Sequence, residues 1–469
     1  MHATIVYTPS NNYMWIYYPI GGIILDKKYI IITLIAVAII AAAVIMVIML
    51  NNDGGGNEKT QPSNLGKEAR LLIYGNANND DYLDNKDIDF IQEIIDGKRT
   101  WDRTANKFAD TNHDGYISKE DITTLQGFIN HKSGGTMYYI NACGAIASIS
   151  YPLDTKIGCY HVYPIDACTI LGLYDDIIGV TSNVFSNIMG QDETKYPGLL
   201  KKCTDLGLPK TDAEALLNSD VKTFLTYNYI SMPQVDSAVE GGADINVVQL
   251  NMSSRDPRGA DRLGTLLMLG VMFQKENKAH EYVDWVDSVV DYIEQKSFQV
   301  TEYLAPLTSS TETDAKLDCS FSDGYMFGEI YTLSIINFKD CYIPVDSTHA
   351  CPFIPYETVY KINPEFMFQI LFNDCNDSVE DTQKLFESHI VKYRGTQAYQ
   401  DKKVFGFNYY TMGTYYGFSQ LALLCAYLYP DTYSMDKGWE YTQYYYDHFT
   451  NYKNVDVKKL GGAGIYAMP

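Results

Sequence analysis

Two segments of the chain carry oxygen-bearing side chains at the spacing of a calcium loop. Calcium takes roughly six to eight oxygen ligands, and a 12-residue loop supplies them from positions 1, 3, 5, 7, 9 and 12. The segment DTNHDGYISKED at 110–121 fits this pattern, and NANNDDYLDNKD at 76–87 repeats it. The sequence therefore predicts two calcium sites. The predicted ligands are Asn76, Asn78, Asp80, the carbonyl of Tyr82, Asp84 and Asp87 in the first loop, and Asp110, Asn112, Asp114, the carbonyl of Tyr116, Ser118 and Asp121 in the second.

The two loops differ at position 6, where a tight turn favours a residue that tolerates positive φ. Gly115 occupies this position in the second loop, whereas the first loop has Asp81, so we expect the first site to be the weaker one. The duplication continues beyond the loops. Apolar residues recur there at i, i+3 and i+7, which predicts one buried helix face per copy: Ile88, Ile91 and Ile95, then Ile122, Leu125 and Ile129.

The duplicated segment resembles a dockerin module over residues 68–132. Position 12 of each loop is Asp instead of the Glu of an ordinary EF-hand, and only a short segment leads into each loop. The resemblance implies a small all-α, EF-hand-like domain with two calcium ions and a cohesin-type partner. It also implies that the partner is recognised through loop positions 10 and 11, which are Asn85, Lys86, Lys119 and Glu120. A calcium-stiffened spacer without a partner is the alternative.

An apolar run precedes this module. Residues 29–50 contain no charged residue and are long enough, as a helix, to cross a bilayer. Lys27 and Lys28 precede the run, so the positive-inside rule places residues 1–28 in the cytoplasm and the rest of the chain outside. The run exceeds the apolar core of about 7–15 residues in a signal peptide, which favours a retained anchor over a cleaved signal. Residues 51–67 read as a flexible linker.

The bulk composition excludes several classes of protein. A net charge of -22 disfavours a nucleic-acid partner, because phosphate backbones would be repelled. The nine cysteines form no C-x-x-C pair, which argues against a zinc ribbon or a redox motif. The chain also lacks G-x-S-x-G, H-E-x-x-H and a phosphate-binding glycine loop. These absences argue against an enzyme.

From residue 136 to 469, short apolar runs alternate with helical stretches, the pattern of an α/β domain. The segment YPIDACTILGLYDDIIGVTS at 163–182 resembles a passage of the periplasmic-type binding proteins for iron–siderophore complexes, haem and cobalamin. YETVYKINPEFMFQI at 356–370 and AYLYPDTY at 426–433 resemble later passages of that family, in the same order. The resemblance implies two α/β lobes, 136–277 and 300–469, joined by a rigid helix at 278–299. The sequence itself predicts a helix there, with one apolar stripe formed by Tyr282, Val286, Val289 and Ile293.

The resemblance also implies a ligand held between the lobes, beyond the carboxyl ends of strands. Arg255 is the strongest single candidate, since aromatic rings and an arginine suit a flat or anionic metal chelate. Asp166 and Glu329 match the acidic residues that this family presents to its permease, although Asp166 stands where Glu is usual. The candidate ligand residues are His161, Tyr163, Ser182, Asn183, Phe185, Tyr227, Tyr229, Ser253, Ser254, Arg255, Tyr325, Tyr409 and Tyr410.

The expected function is a membrane-anchored, extracytoplasmic solute-binding protein. It would capture an iron–siderophore, haem, cobamide or similar metal chelate for uptake by an ABC transporter, and its calcium loops would dock a cohesin-type protein. The alternative is a cell-surface adhesion or assembly protein, in which the duplicated module binds the partner and the lobes are degenerate. An enzyme that modifies a metal chelate is a more distant alternative.

Overall fold

The computed structural model describes residues 69–186, 193–207, 213–227, 233–252, 262–293, 353–408, 415 and 417–468, together with a few short strands elsewhere. The chain divides into two units, Met1–Lys67 and Glu68–Pro469. In the first unit, Thr4–Ile5 pairs antiparallel with Ile16–Tyr17. The predicted anchor at 29–50 and the linker at 51–67 lie outside the described residues. Among the helices of the described ranges, none is long and apolar enough to cross a membrane.

The duplicated module, predicted over residues 68–132, contains two helices of equal length, Asn85–Ile95 and Lys119–Ile129. Each helix begins at position 10 of its loop with a capping box, in which the residue at loop position 9 and the Asp at position 12 cap one another's backbone N–H groups. A short 3-10 helix, Lys107–Ala109, precedes the second loop. The predicted apolar faces are confirmed, because they pack together in one cluster: Ile88, Ile91, Ile95, Ile122, Leu125 and Ile129.

A hairpin and a parallel sheet follow the module. In this opening hairpin, Gly135–Ile140 pairs antiparallel with Ile146–Tyr151. The chain order of the sheet reverses between its third and fourth strands in space, which makes this point the topological switch of an open α/β sheet. We call it the first sheet, and its five parallel strands lie in the spatial order Thr204–Asp205, Ile177–Val180, Ile157–Cys159, Thr223–Tyr227 and Asn246–Leu250.

Helices alternate with the strands of the first sheet, as expected for parallel strands that need crossover connections. The longest of them, Val162–Ile170, starts immediately after the strand Ile157–Cys159. Within the described residues, the other helices of this lobe are Tyr174–Asp176 (a 3-10 turn), Ser182–Ser186, Leu199–Lys202, Ala213–Leu217 and Pro233–Glu240.

Two consecutive helices follow the last strand of the first sheet. Every residue of Arg262–Met272 is buried. It is followed by Glu276–Ile293, which we call the interlobe helix, and which starts two residues earlier than the predicted position 278. Its predicted stripe is confirmed, because Tyr282, Val286, Val289 and Ile293 are all buried. The apolar repeat was sufficient to place this helix.

The second lobe contains a four-stranded sheet. Tyr303–Leu304, Phe366–Leu371 and Val404–Asn408 are parallel, and Tyr466–Ala467 closes the edge antiparallel. Short pairs also join Gln299–Val300 to Asn337–Phe338 and Asp314–Lys316 to Phe353–Pro355. In the part of this lobe that the structure describes, the helices are Tyr356–Ile362, Val379–Ile390, Val391–Tyr393 (3-10), Gln397–Gln400, Gly417–Leu428, Met435–Phe449 and Val457–Lys459 (3-10).

One hydrophobic core joins these parts. It contains Phe128 of the duplicated module, Ile157 of the first sheet, Val286 of the interlobe helix and Phe407 of the second sheet. A continuous core of this kind holds the elements in fixed positions. The cysteines of the described ranges are free thiols: Cys143, Cys159, Cys168, Cys203, Cys375 and Cys425.

Candidate functional site

The two predicted calcium loops have the same internal hydrogen bonds. The backbone N–H of Asp80 donates to Asn78 Oδ1 at 2.9 Å, and that of Asp114 donates to Asn112 Oδ1 at 3.1 Å. The N–H groups at positions 3 and 9 donate to the Asp at position 12, which is Asp87 in one loop and Asp121 in the other. The two loops, which are duplicated in sequence, therefore also share this conformation.

The carboxylates at position 12 are fully buried. Burial raises the pKa of Asp87 to about 7 and also raises the pKa of Asp121, because both charges have lost water and are compensated only in part by backbone N–H donors. Within the described residues, no three His, Cys, Asp or Glu side chains are grouped closely enough to hold a metal ion. The carboxylates accept hydrogen bonds from their own loops instead.

Asn76, at position 1 of the first loop, is also fully buried, and its Oδ1 has no hydrogen-bond partner. Its amide nitrogen donates to the carbonyls of Leu71 and Asp80, at 2.8 Å and 2.7 Å. A buried oxygen without a donor is costly unless a cation or water reaches it. This orphaned oxygen and the buried Asp87 are suited to a calcium ion.

The prediction for position 6 is confirmed in one loop and wrong in the other. Gly115 has φ +89 and its N–H donates to Asp110 Oδ2 at 2.9 Å. Asp81 has no positive φ, so it does not need the unusual backbone angle that we expected. In each loop the non-glycine residue with positive φ is at position 4, Asn79 in the first and His113 in the second.

Several predicted ligand residues lie at the carboxyl edge of the first sheet. His161 follows the strand Ile157–Cys159 and is the N-cap residue of the next helix, and its ring stacks on that of Tyr163 at 4.9 Å. Ser182, Asn183 and Phe185 lie in the short helix after the neighbouring strand Ile177–Val180 and are partly exposed. Tyr163 is inside the first turn of its helix and is not at a strand end. His161 thus lies beside the topological switch.

Asp166 does not have the surface position predicted for a permease-docking residue. Its side chain is 3% exposed, and Lys195 and Tyr196 donate hydrogen bonds to its two oxygens at 3.3 Å and 2.6 Å. Burial raises the pKa of Asp166, whereas Lys195 and Tyr196 oppose that shift. The docking assignment is corrected: Asp166 is a structural residue inside the lobe.

Arg262 was missed by sequence reasoning. It is 1% exposed, and its guanidinium carbon lies 5.1 Å from the centre of the Phe418 ring, which belongs to the second lobe. The hydroxyl of Tyr415 donates to the Arg262 carbonyl at 3.4 Å. A signal was present in the sequence, because this arginine begins an otherwise apolar helical stretch and so must be buried with it.

The remaining candidates fall outside the described residues: Tyr229, Ser253, Ser254, Arg255, Tyr325, Glu329, Tyr409 and Tyr410. Tyr227 ends the fourth strand in space of the first sheet. A groove of about 670 Å³ is lined by residues of both lobes, including Thr169, Asp175 and Lys453. It lies at the carboxyl end of helix Val162–Ile170, the end away from His161, and its lining contains none of the predicted ligand residues.

The sequence matches no protein-family model and no curated protein. Solved structures with a similar fold are periplasmic binding proteins. A TroA-like periplasmic binding protein from Veillonella parvula aligns with a TM-score of 0.54 and 13% identity, over 71% of this chain and 99% of that one. A periplasmic solute-binding protein of the same species aligns with a TM-score of 0.50 and 12% identity, over 69% of this chain and 95% of that one. At such identity the likeness concerns the fold.

Proposed function

We propose that this chain is an extracytoplasmic solute-binding protein, anchored by residues 29–50, that captures a metal chelate for an ABC transporter. The chelate would be an iron–siderophore, haem or cobamide. The observation that carries the proposal is the order of the first sheet, which brings His161 beside the topological switch and the Ser182–Asn183 pair to the carboxyl end of the adjacent strand. Ligands of open α/β sheets bind at this point.

Two buried cations lie close to this edge. Lys195 and Arg262 both act electrostatically on the buried carboxylate of Asp166, and Lys195 also acts on His161. The interlobe helix and the continuous core connect the two lobes, and the guest would be held between them.

A thermal-shift screen of the intact chain with haem, cobalamin and ferric siderophores tests this proposal. A ligand at about one hundred times its Kd adds about 2.7 kcal/mol to stability and raises the Tm. His161→Ala should weaken the response, whereas His389→Ala, a partly buried histidine on helix Val379–Ile390, serves as the matched control and should leave it unchanged. Failure of all three classes of chelate to raise the Tm would contradict the proposal.

We propose in addition that the duplicated module binds two calcium ions. The orphaned oxygen of Asn76 and the buried carboxylates of Asp87 and Asp121 support this, since each would gain a cation that it otherwise lacks. Calorimetric titration of the chelator-treated intact chain should give two ions per chain. Asp80→Ala and Asp114→Ala should each remove one, and Asp96→Asn, an exposed carboxylate outside both loops, should remove none. If adding calcium releases or absorbs no heat, the two calcium sites are rejected.

We also propose that the module binds a cohesin-type partner, as it would in an adhesion or assembly protein, and one observation favours this. Asn85, Lys86, Lys119 and Glu120 are all exposed at the amino ends of the two helices. A purified cohesin module, immobilised, should capture the intact chain with calcium present and release it on chelation. Lys86→Ala and Lys119→Ala should weaken capture, and Lys98→Ala, exposed but outside the loops, should not. If the cohesin module does not capture the chain in a calcium-dependent way, the duplicated module is a spacer without a partner.

A further inference from the structure

The first calcium loop makes direct contact with the interlobe helix. Arg70, just before the first loop, donates to both carboxylate oxygens of Asp287 at 2.9 Å and 2.8 Å, and the same guanidinium binds the carboxylate of Asp81. Asp81 is position 6 of the loop and Asp287 lies in the interlobe helix. Since the guanidinium side chain is only 11% exposed, this bidentate pairing is shielded from water. One cation therefore ties the loop to the helix.

A second contact lies beside the first. The ring of Tyr82, at loop position 7, stacks on the ring of His280 with centroids 4.0 Å apart and planes inclined by 9°. Asp80 and Tyr82 supply two of the proposed calcium ligands, the first through its carboxylate and the second through its carbonyl. Calcium would fix the backbone from Asp80 to Tyr82. On that same backbone, the ring of Tyr82 contacts the interlobe helix directly, and the carboxylate of Asp81 reaches it through Arg70.

The second loop contacts a different element. The ring of His113, at position 4, lies 4.8 Å from that of Tyr74 and 5.2 Å from that of Tyr138, in the opening hairpin. Backbone hydrogen bonds between residues 72–74 and the strand Gly135–Ile140 support this contact: Tyr74 N–H to the Tyr138 carbonyl and Ile140 N–H to the Leu72 carbonyl, both 3.0 Å. Each loop therefore faces its own part of the large domain.

We propose that calcium in the first loop acts on the large domain by locking the module to the interlobe helix. Calcium holds Asp81 and Tyr82 in place. Their contacts with Arg70 and His280 then hold the interlobe helix in place. The second loop in the same way orders the opening hairpin, and not the helix. This inference rests on the calcium binding proposed above, and it makes the module an internal calcium-dependent brace of the lobes. The partner surface at Lys86 and Lys119 stays exposed.

Hydrogen-exchange mass spectrometry on the intact chain, with calcium and with a chelator, tests the proposal. Peptides covering Glu276–Ile293 should exchange about tenfold more slowly with calcium, because a ligand that binds the ordered state stabilises it by mass action. Asp80→Ala, in the first loop, should remove this protection of the helix. Asp114→Ala, in the second loop, should leave it and should instead remove calcium-dependent protection of the hairpin at 135–151.

Substitutions on the helix side provide a test that leaves the calcium ligands intact. His280→Ala combined with Asp287→Asn should abolish the calcium-dependent protection of the helix and, by reciprocity, weaken the calcium affinity of the first loop by about fivefold or more. Glu281→Gln, on the same helix but paired with Lys278, is the matched control and should change neither.

The outcomes separate the two proposals. If two calcium ions bind and helix exchange is the same with and without them, the brace is rejected while the sites stand. If no calcium binds, the sites themselves are rejected, and the contacts through Arg70 and Tyr82 are constitutive packing.

Discussion

The carboxylate of Asp166 lies 3.3 Å from the ammonium group of Lys195, and both side chains are almost completely buried, at 3% and 7% exposure. Removing one partner of such a pair leaves the other charged and buried, which typically costs about 3–5 kcal/mol, whereas replacing both with apolar groups costs less. Tyr196 donates a further hydrogen bond to the same carboxylate. The pair therefore contributes to the stability of the first lobe.

Lys195→Met should lower the free energy of unfolding by about 3 kcal/mol, because it strands the Asp166 carboxylate. The double variant Asp166→Leu with Lys195→Met should lose less than Lys195→Met alone. Urea unfolding of the three proteins measures the difference. A residue used only for permease docking would leave unfolding unchanged in every variant, and that result would restore the surface interpretation of Asp166.

Replacing each of two helical glycines with alanine should change the free energy of unfolding in opposite directions. A Cβ on Gly270 would lie 2.6 Å from the Cβ of Ala279, where the helix Arg262–Met272 packs on the interlobe helix, so Gly270→Ala should destabilise by about 1–3 kcal/mol. A Cβ on Gly127 meets nothing within 4 Å, so Gly127→Ala should stabilise the second module helix by roughly 0.5–1 kcal/mol. Thermal unfolding compares them, and equal shifts would contradict the packing of these helices.

The stability of the protein should fall as the solution is acidified, in part through His161. Burial, and then the positive charge of Lys195, lower the pKa of His161 to about 4. Between this pKa and the ordinary value of about 6.5, the unfolded chain binds a proton that the folded chain does not. His161 thus contributes stability that is present above pH 6.5 and is lost as the pH falls towards 4.

Urea unfolding of the wild type and of His161→Gln at about pH 7.5 and about pH 4.5 measures this contribution. The wild type should lose about 2–3 kcal/mol more than the variant over this interval. Other titrating groups, Asp166 among them, are present in both proteins and cancel in the comparison. Parallel losses in the two proteins would show that the imidazole of His161 is solvated in the folded state.

Local patterns predicted much of the fold. The apolar repeat after each loop and the stripe of Tyr282, Val286, Val289 and Ile293 identified buried helix faces, because burial follows the helical period directly. The alternation of strands and helices also predicted an α/β fold, which the parallel first sheet and its helices confirm. Such features depend on neighbours three or four residues apart, and a single sequence contains them.

Contacts between residues that are far apart in the sequence could not be predicted from local patterns of this kind. Nothing near Asp166 indicates that Lys195 and Tyr196 will cover it, so a likeness to an exposed family position was misleading. The contact of Arg70 with Asp287 spans more than two hundred residues of sequence, and neither residue has a distinctive local context. Ion pairs of this kind are specified by the assembled fold, and the docking of the module on the interlobe helix was invisible until the elements were placed together.

The second calcium loop should fill before the first. Each loop carries three carboxylates among its predicted ligands, but Gly115 provides a tight turn with positive φ at position 6 of the second loop, and Asp81 does not in the first. Calorimetric titration of the intact chain should therefore show two steps. Asp121→Asn should remove the tighter step and Asp87→Asn the weaker one, and the reverse assignment would mean that turn geometry does not set the order of filling.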